Sequence, residues 1–253
     1  MFTLDIGANA EYDRSMLLDG KELAAERAII FDAVEHEGAE LVVHDGRAAV
    51  ARLGGLYKCA FAAPTDLAVY AARFGISGEL CVTNMPQDAP ATLGFEADAC
   101  VSFAYLDNGL PPVGTRADIT VRKLAPTLAE TVLGYYGCRS GSYTAEDMRR
   151  LMRAHPMLGA LVDSRLAGFI GRHGDGSMGM LTVLDGFRRR GIGEELERDM
   201  MSLVMLERRV PICDVYADNA PSIALQKKLG LTAGRAYTFW THTDRVRALG
   251  EKR

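Results

Sequence analysis

The chain has 253 residues, a formal charge of −4 from 29 Lys+Arg against 33 Asp+Glu, and 48% apolar residues. These values exclude wholesale disorder and a fibrous chain, and the length fits one or two domains of about 100–200 residues each. The near-neutral balance gives no electrostatic footprint for nucleic acid or an anionic membrane surface, and no apolar run approaches the ~20 residues of a membrane span.

The segment Met1–Ile6 has neither the basic nor the apolar region of a secretory signal. Five cysteines, Cys59, Cys81, Cys100, Cys138 and Cys213, are never closer than 19 positions. That spacing excludes CxxC metal or redox motifs and argues against a disulfide framework. A reducing, cytoplasmic setting is the expectation, with no metal.

Taken in order, residues 12–35 are rich in Leu, Ala, Glu and Arg and predict a helix. Short β-like runs follow at Glu40–His44, Ala48–Leu53 and Leu56–Ala62, the first two joined by Asp45-Gly46, a strong hairpin signal. Asp66–Phe74 predicts a helix, and Glu79–Thr83 and Ala99–Tyr105 predict strands. His36, His44 and Cys59 are isolated and read as structural. Two prolines and two glycines in 107–117 mark a break. The chain is therefore divided into a mixed α/β part, 1–115, and a more regular part, 116–253.

In the second part a strand is expected at Asp118–Leu124 and a helix at Pro126–Tyr135. Thr144 with Asp147 three residues on has the pattern of a capping box, opening a helix to His155. Strands at Met157–Val162, Leu166–Arg172 and Met178–Val183 come next. After Gly193, Leu196, Met200, Leu203 and Val204 continue a helical period that begins at Ile192. A strand at Ile212–Tyr216, a helix at Pro221–Leu229 and a strand at Ala236–Trp240 complete an α/β (α+β) reading.

The chemistry concentrates in Met178–Gly193, where a strand runs into a loop with Gly191 and Gly193 and a helix opens directly after. Glycines let a backbone approach a phosphate closely, and the leading N–H groups of the helix point toward it. Arg188, Arg189 and Arg190 add positive charge, and Lys227 and Lys228 are expected to join them. No Gly-Lys-Ser/Thr follows, so this is not a Walker loop. Position 196 is Leu, so it is not the dinucleotide fingerprint. A plain strand-to-helix turn with solvated arginines is the competing reading.

A second segment, Asn219-Ala-Pro-Ser222-Ile-Ala-Leu-Gln226-Lys-Lys-Leu-Gly230-Leu231, also follows a strand. Together, Arg188-x-x-Gly191-x-Gly193 and this Asn-initiated helix resemble the two signature segments of the GNAT N-acyltransferase superfamily. The resemblance covers residues 117–242.

It implies a GNAT fold in 116–253, acetyl-CoA or another acyl-CoA as co-substrate, and N-acyl transfer to an amine. Leu181, Thr182 and Val183 would pair with the pantetheine arm. Arg188, Arg189, Arg190, Gly191, Ile192, Gly193 and Glu194 would wrap the pyrophosphate. Asn219, with Ser222, would lie beside the pantetheine and thioester, although Asn219 also reads as a helix N-cap.

The family often has a Tyr where this chain has Gln226, which cannot act as a general acid. Tyr237 and Tyr216 are substitutes or packing residues. Asp214 is the leading candidate base, because it alternates with Ile212 and Tyr216 in a strand otherwise read as buried. The competing reading pairs it with an Arg or His. Asp175, Asp185 and His173 are weaker candidates, the last read as a surface residue.

The missing Tyr and the preceding α/β part are also similar to the glycine N-acyltransferase branch. That likeness implies a small-molecule amine acceptor such as an amino acid, and a degenerate GNAT-like half in 1–115 on the acceptor side. The expected partners are that small amine and no nucleic acid or membrane, with a monomer or homodimer. A non-catalytic acyl-CoA-binding module and a protein N-acetyltransferase are the alternatives.

Overall fold

The computed structural model describes residues 23–107, 109–111, 116–137 and 143–250. The predicted residues 12–22, Cys138 and part of the 107–117 break lie outside them. Two compact units form: one from Met1–Asn108 with Ile212–Arg253, the other from Gly109–Pro211. This division does not follow a break at 115, because the last two long strands pair with strands that precede it.

The first unit begins with helix α1 (Ala24–His36) and strands β1 (Glu40–His44), β2 (Ala48–Leu53) and β3 (Leu56–Phe61). Asp45 closes the β1–β2 turn, accepting from the backbone N–H groups of Arg47 at 2.8 Å and Ala48 at 2.9 Å. Such side-chain acceptance is what makes Asp a hairpin residue. Helix α2 (Asp66–Phe74) ends on Gly75 at φ 64°, the left-handed position that favours glycine. Strand β4 (Glu79–Met85), the short helix α3 (Ala89–Leu93) and strand β5 (Ala99–Ala104) follow.

The chain returns to this unit with β10 (Ile212–Tyr216), α7 (Ala220–Lys228), β11 (Thr232–His242) and the short α8 (Arg247–Gly250). The seven strands are ordered β1-β2-β3-β4-β11-β5-β10. One face buries Val50, Cys59, Phe61, Leu80, Val82 and Phe239. A second cluster joins Ile30 and Phe31 of α1 to Ala49, Ala51 and Ala60.

The second unit is a four-stranded antiparallel sheet, β6 (Thr120–Lys123), β7 (Leu158–Val162), β8 (Arg165–Arg172) and β9 (Met178–Val183), paired in that order. Helices α4 (Ala129–Tyr135), α5 (Ala145–Ala154) and α6 (Ile192–Leu206) belong to it. Its core gathers Leu124, Val132, Met148, Met152, Phe169 and Met180. The predicted capping box is present: Asp147 N–H donates to Thr144 Oγ1 at 3.1 Å, and Thr144 N–H donates to Asp147 Oδ2 at 3.0 Å.

The order strand–strand–strand–helix–strand–helix–strand occurs twice, as β1-β2-β3-α2-β4-α3-β5 and as β7-β8-β9-α6-β10-α7-β11. In the first pass β3 and β4 pair in parallel from Leu56↔Glu79 to Ala60↔Thr83. In the second, β9 is the outer strand of the four-stranded sheet and β10 the outer strand of the seven-stranded one. The last strands of the two passes interleave, with β11 between β4 and β5, and β5 between β11 and β10.

Candidate active site

In the second unit the site residues follow from how β9 ends. Opposite β8, Phe169 faces Thr182 and Gly171 faces Gly179, so Ile170 alone opposes both Met180 and Leu181. The extra residue is a β-bulge, and Met180 takes φ 58°, uncommon for a side chain of its size. A bulge interrupts the ladder locally and re-aims the backbone. Leu181, Thr182 and Val183 follow it, each half-buried. Gly168 of β8 must remain small, because a Cβ there would stand 2.6 Å from the Thr182 carbonyl oxygen.

Beyond Val183 the chain turns through Gly186, at φ 83°, and Arg189, at φ 63°, to Gly191 at φ 76°. Gly191 is the N-cap of α6 without a side chain to cap it, and the first intrahelical bond runs from Glu195 N–H to Gly191 O at 3.1 Å. The leading N–H groups of a helix have no partner within it, and here they belong to Ile192, Gly193 and Glu194. Arg188, Arg189 and Arg190 are exposed around this opening. Arg188 donates from Nε to Val183 O at 3.3 Å and pairs with Asp185 at 3.2 Å. The Arg190 guanidinium lies 5.7 Å from the Phe187 ring centroid.

One residue that sequence reasoning missed fixes this loop. Arg116 donates from Nη1 to the Arg190 carbonyl at 2.7 Å and grips Asp118 with Nε and Nη2 at 3.0 and 2.8 Å. The Arg116 guanidinium holds the Asp118 carboxyl below the usual carboxylate range. No spacing rule links positions 116 and 190, so the contact was not legible before folding.

The remaining predicted residues lie in the first unit. Asn219 is the N-cap of α7, its side chain accepting from Ser222 N–H at 3.3 Å. The N-cap reading is thus present in the geometry. Lys227 and Lys228 occupy the last turn of α7, where cations complement the helix dipole. Gln226 is buried, at 2% exposure. Tyr237 packs against the core cluster of its sheet and stands 6.4 Å, ring to ring, from Phe239, so packing explains it. Tyr216 is half-buried at the end of β10.

Asp214 is half-buried on β10. Its Oδ1 accepts from Ser102 Oγ at 2.5 Å and its Oδ2 from Trp240 Nε1 at 3.1 Å. Ser102 in turn stands 2.6 Å from Thr238 Oγ1, which is 2.8 Å from Thr83 Oγ1. Neither Ser102 nor Trp240 was a sequence candidate. The alternation that singled out Asp214 also places Ser102 between Val101 and Phe103, but nothing in it says which strands are neighbours.

The weaker candidates have local explanations. Asp175 is buried and accepts from the Ser177 N–H and hydroxyl at 3.2 and 2.6 Å, closing a turn. Asp185 is exposed beside Arg188. His173 is half-buried rather than a surface residue, its Nδ1 3.1 Å from Tyr143 Oη. His44 packs its ring 5.0 Å from that of Phe31, and burial pushes the Cys59 thiol up. Among the described residues no cluster of His, Cys, Asp and Glu could hold a metal ion, and no helix is long and apolar enough to cross a membrane.

The family model described as FR47-like protein matches residues 158–240, from β7 to near the end of β11. No curated protein matches the chain. Among solved structures, a Drosophila protein is 18% identical with a TM-score of 0.57, covering 80% of this chain and 73% of its own. A GCN5-related N-acetyltransferase from Kribbella flavida is 12% identical with a TM-score of 0.53, covering 88% and 95%. Another from Sphaerobacter thermophilus is 14% identical with a TM-score of 0.50, covering 78% and 76%. At such identities the likeness is one of fold. The chain has the fold of the GCN5-related N-acetyltransferases.

Proposed function

We propose that the protein is an acyl-CoA-dependent N-acyltransferase, with acetyl-CoA as donor and the amine of a small molecule such as an amino acid as acceptor. The observation that carries this reading is the run from the Met180 bulge through the Gly191 cap into α6 within a GNAT fold. An αL glycine cap, the leading amides of a fifteen-residue helix and three exposed arginines form a donor set suited to a pyrophosphate. In this reading Arg188 to Glu194 hold the pyrophosphate and Leu181 to Val183 run beside the pantetheine. Asn219, with Ser222, serves the thioester end.

Bound acyl-CoA supplies the thioester. The backbone N–H groups around the bulge meet the charge that builds on the carbonyl oxygen. As the amine nitrogen bonds to the acyl carbon and the carbon–sulfur bond breaks, Asp214 takes the proton that the nitrogen gives up. Ser102 and Trp240 donate to this carboxylate and orient it. Gln226 gives no proton to the departing sulfur. A thiol pKa of about 8.5 lets the thiolate leave without one, and solvent protonates it afterwards.

Thiol release from acetyl-CoA over a panel of amino acids and other small amines tests this reading. Amine-dependent release is expected. A protein that binds acetyl-CoA and turns over none of the amines would overturn it in favour of a binding module.

A further inference from the structure

We infer that Ser102, on a strand of the N-terminal pass, is a positioning residue for Asp214, and that Thr238 and Thr83 complete a hydroxyl row that holds the carboxyl group through its proton cycle. The inference rests on the reading of Asp214 as the proton acceptor.

The four residues stand on four successive strands of one sheet, in the order β10, β5, β11, β4. Asp214 and Ser102 are direct cross-strand partners. The successive contacts are 2.5, 2.6 and 2.8 Å. Ser102, Thr238 and Thr83 are each 0% exposed, in a sheet whose other interior positions are largely apolar. Burying a hydroxyl is unfavourable unless it is hydrogen-bonded, so three in a row ending on one carboxyl group form a connected polar device.

Proton counting gives the device its meaning. Each hydroxyl has one proton and can both donate and accept. Ser102 donates to the carboxylate, while Thr238 donates away from it to Thr83. When Oδ1 carries a proton, it can donate to Ser102, Ser102 to Thr238, and Thr238 to Thr83 as before, so the row can turn to accept from the neutral acid. Oδ2 continues to accept from Trp240 in both states. The carboxyl group thus keeps its partners whether charged or neutral. The far end, Thr83, is fully buried, so the row is a dead end that orients Asp214 and not an exit for the proton.

The test compares Ser102→Ala, Ser102→Cys, Ser102→Thr and Asp214→Asn in the full-length protein. The single tryptophan of the chain, Trp240, supplies an activity-independent reporter through its indole N–H resonance. Ser102→Ala is expected to lower kcat about tenfold or more, within the span of a positioned base, with KM for acetyl-CoA unchanged and Ser102→Thr restoring most of the loss. The pH midpoint of the indole resonance should move upward in Ser102→Ala and Ser102→Cys, because a donor to the charged carboxylate has been lost or weakened, and the titration should vanish in Asp214→Asn. Wild-type kcat in Ser102→Ala beside a loss in Asp214→Asn would overturn the positioning role while leaving the base intact. Wild-type turnover in Asp214→Asn would overturn the base reading itself. Should the alanine variant not fold, an unmoved indole midpoint in Ser102→Cys overturns the inference.

Discussion

Trp240 and Asp214 stand on strands separated in the sheet by β5, and the indole nevertheless reaches across to donate to Oδ2 at 3.1 Å. Adjacent strands lie about 4.8 Å apart, so few side chains other than tryptophan could span that gap and end in a donor. The carboxyl group is thereby held from two strands, by Ser102 through one oxygen and by Trp240 through the other.

Replacing the indole by a ring without a donor should therefore weaken this grip. Trp240→Phe is expected to cost about 1.5–3 kcal/mol, the usual range for a hydrogen bond to a charged group, and to lower kcat while leaving acetyl-CoA affinity unchanged. Urea denaturation, thiol-release kinetics and calorimetry on the same preparation measure all three. An unchanged kcat would show that Asp214 does not depend on this donor.

Arg116 is expected to matter to cofactor binding without touching the cofactor. Its Nη1 holds the Arg190 carbonyl, one residue before the Gly191 cap. Arg116→Ala should weaken acetyl-CoA binding severalfold, with the far-ultraviolet circular dichroism unchanged. Affinity equal to wild type would mean that the loop keeps its shape unaided.

Two glycines of the second unit offer a controlled comparison. A Cβ at Gly168 would meet the Thr182 backbone oxygen at 2.6 Å, whereas one at Gly159 would meet the end of the Leu124 side chain. A side-chain tip can rotate away and a paired strand cannot. Gly168→Ala should cost about 1–3 kcal/mol and weaken acetyl-CoA binding by displacing β9. Gly159→Ala should cost less and leave binding intact. Equal effects in thermal melts and titrations would contradict this account.

The capping box of α5 gives a pH-dependent contribution whose sign is fixed. The Thr144 hydroxyl, with its backbone N–H, lowers the Asp147 pKa from its ordinary value of 3.8. A carboxyl group lowered in the folded state stabilises fully above its unfolded pKa, and that contribution is lost as pH falls through the folded value. Thr144→Ala should cost about 1 kcal/mol at neutral pH, and the gap to wild type should narrow as pH falls below about 3.9. Denaturant melts at pH 7 and in that acid range read it directly.

Much of the fold was legible in the sequence because the local signals agree with the final structure. The Asp45-Gly46 turn, the Thr144/Asp147 box and the period from Ile192 to Val204 each fix an element from neighbouring residues alone. The strands at Glu40–His44, Ala48–Leu53, Met178–Val183 and Ile212–Tyr216 form as read. The last strand is longer than expected, Thr232–His242, because pairing on both sides extends it past its apolar center. Alternation tells which face a residue takes and nothing about the strand beside it. The interleaving of β11 with β4 and β5 was therefore hidden, and with it the partners of Asp214. Ser102 lies 112 positions from Asp214, and Thr238 lies 136 from Ser102. His173 was misjudged for the same reason, since Tyr143 comes to it from 30 positions away.

The central claim is that the loop before α6 holds the pyrophosphate of acyl-CoA, and Gly191→Asp tests it most directly. Aspartate is a favoured N-cap and tolerates the left-handed backbone better than most residues, so the φ of 76° at this position need not cost the helix. It would, however, set a negative charge among the donors. Isothermal titration with acetyl-CoA should give a measurable affinity for the wild type and none for Gly191→Asp, with Gly193→Asp behaving alike. Wild-type affinity in both folded variants would contradict the account.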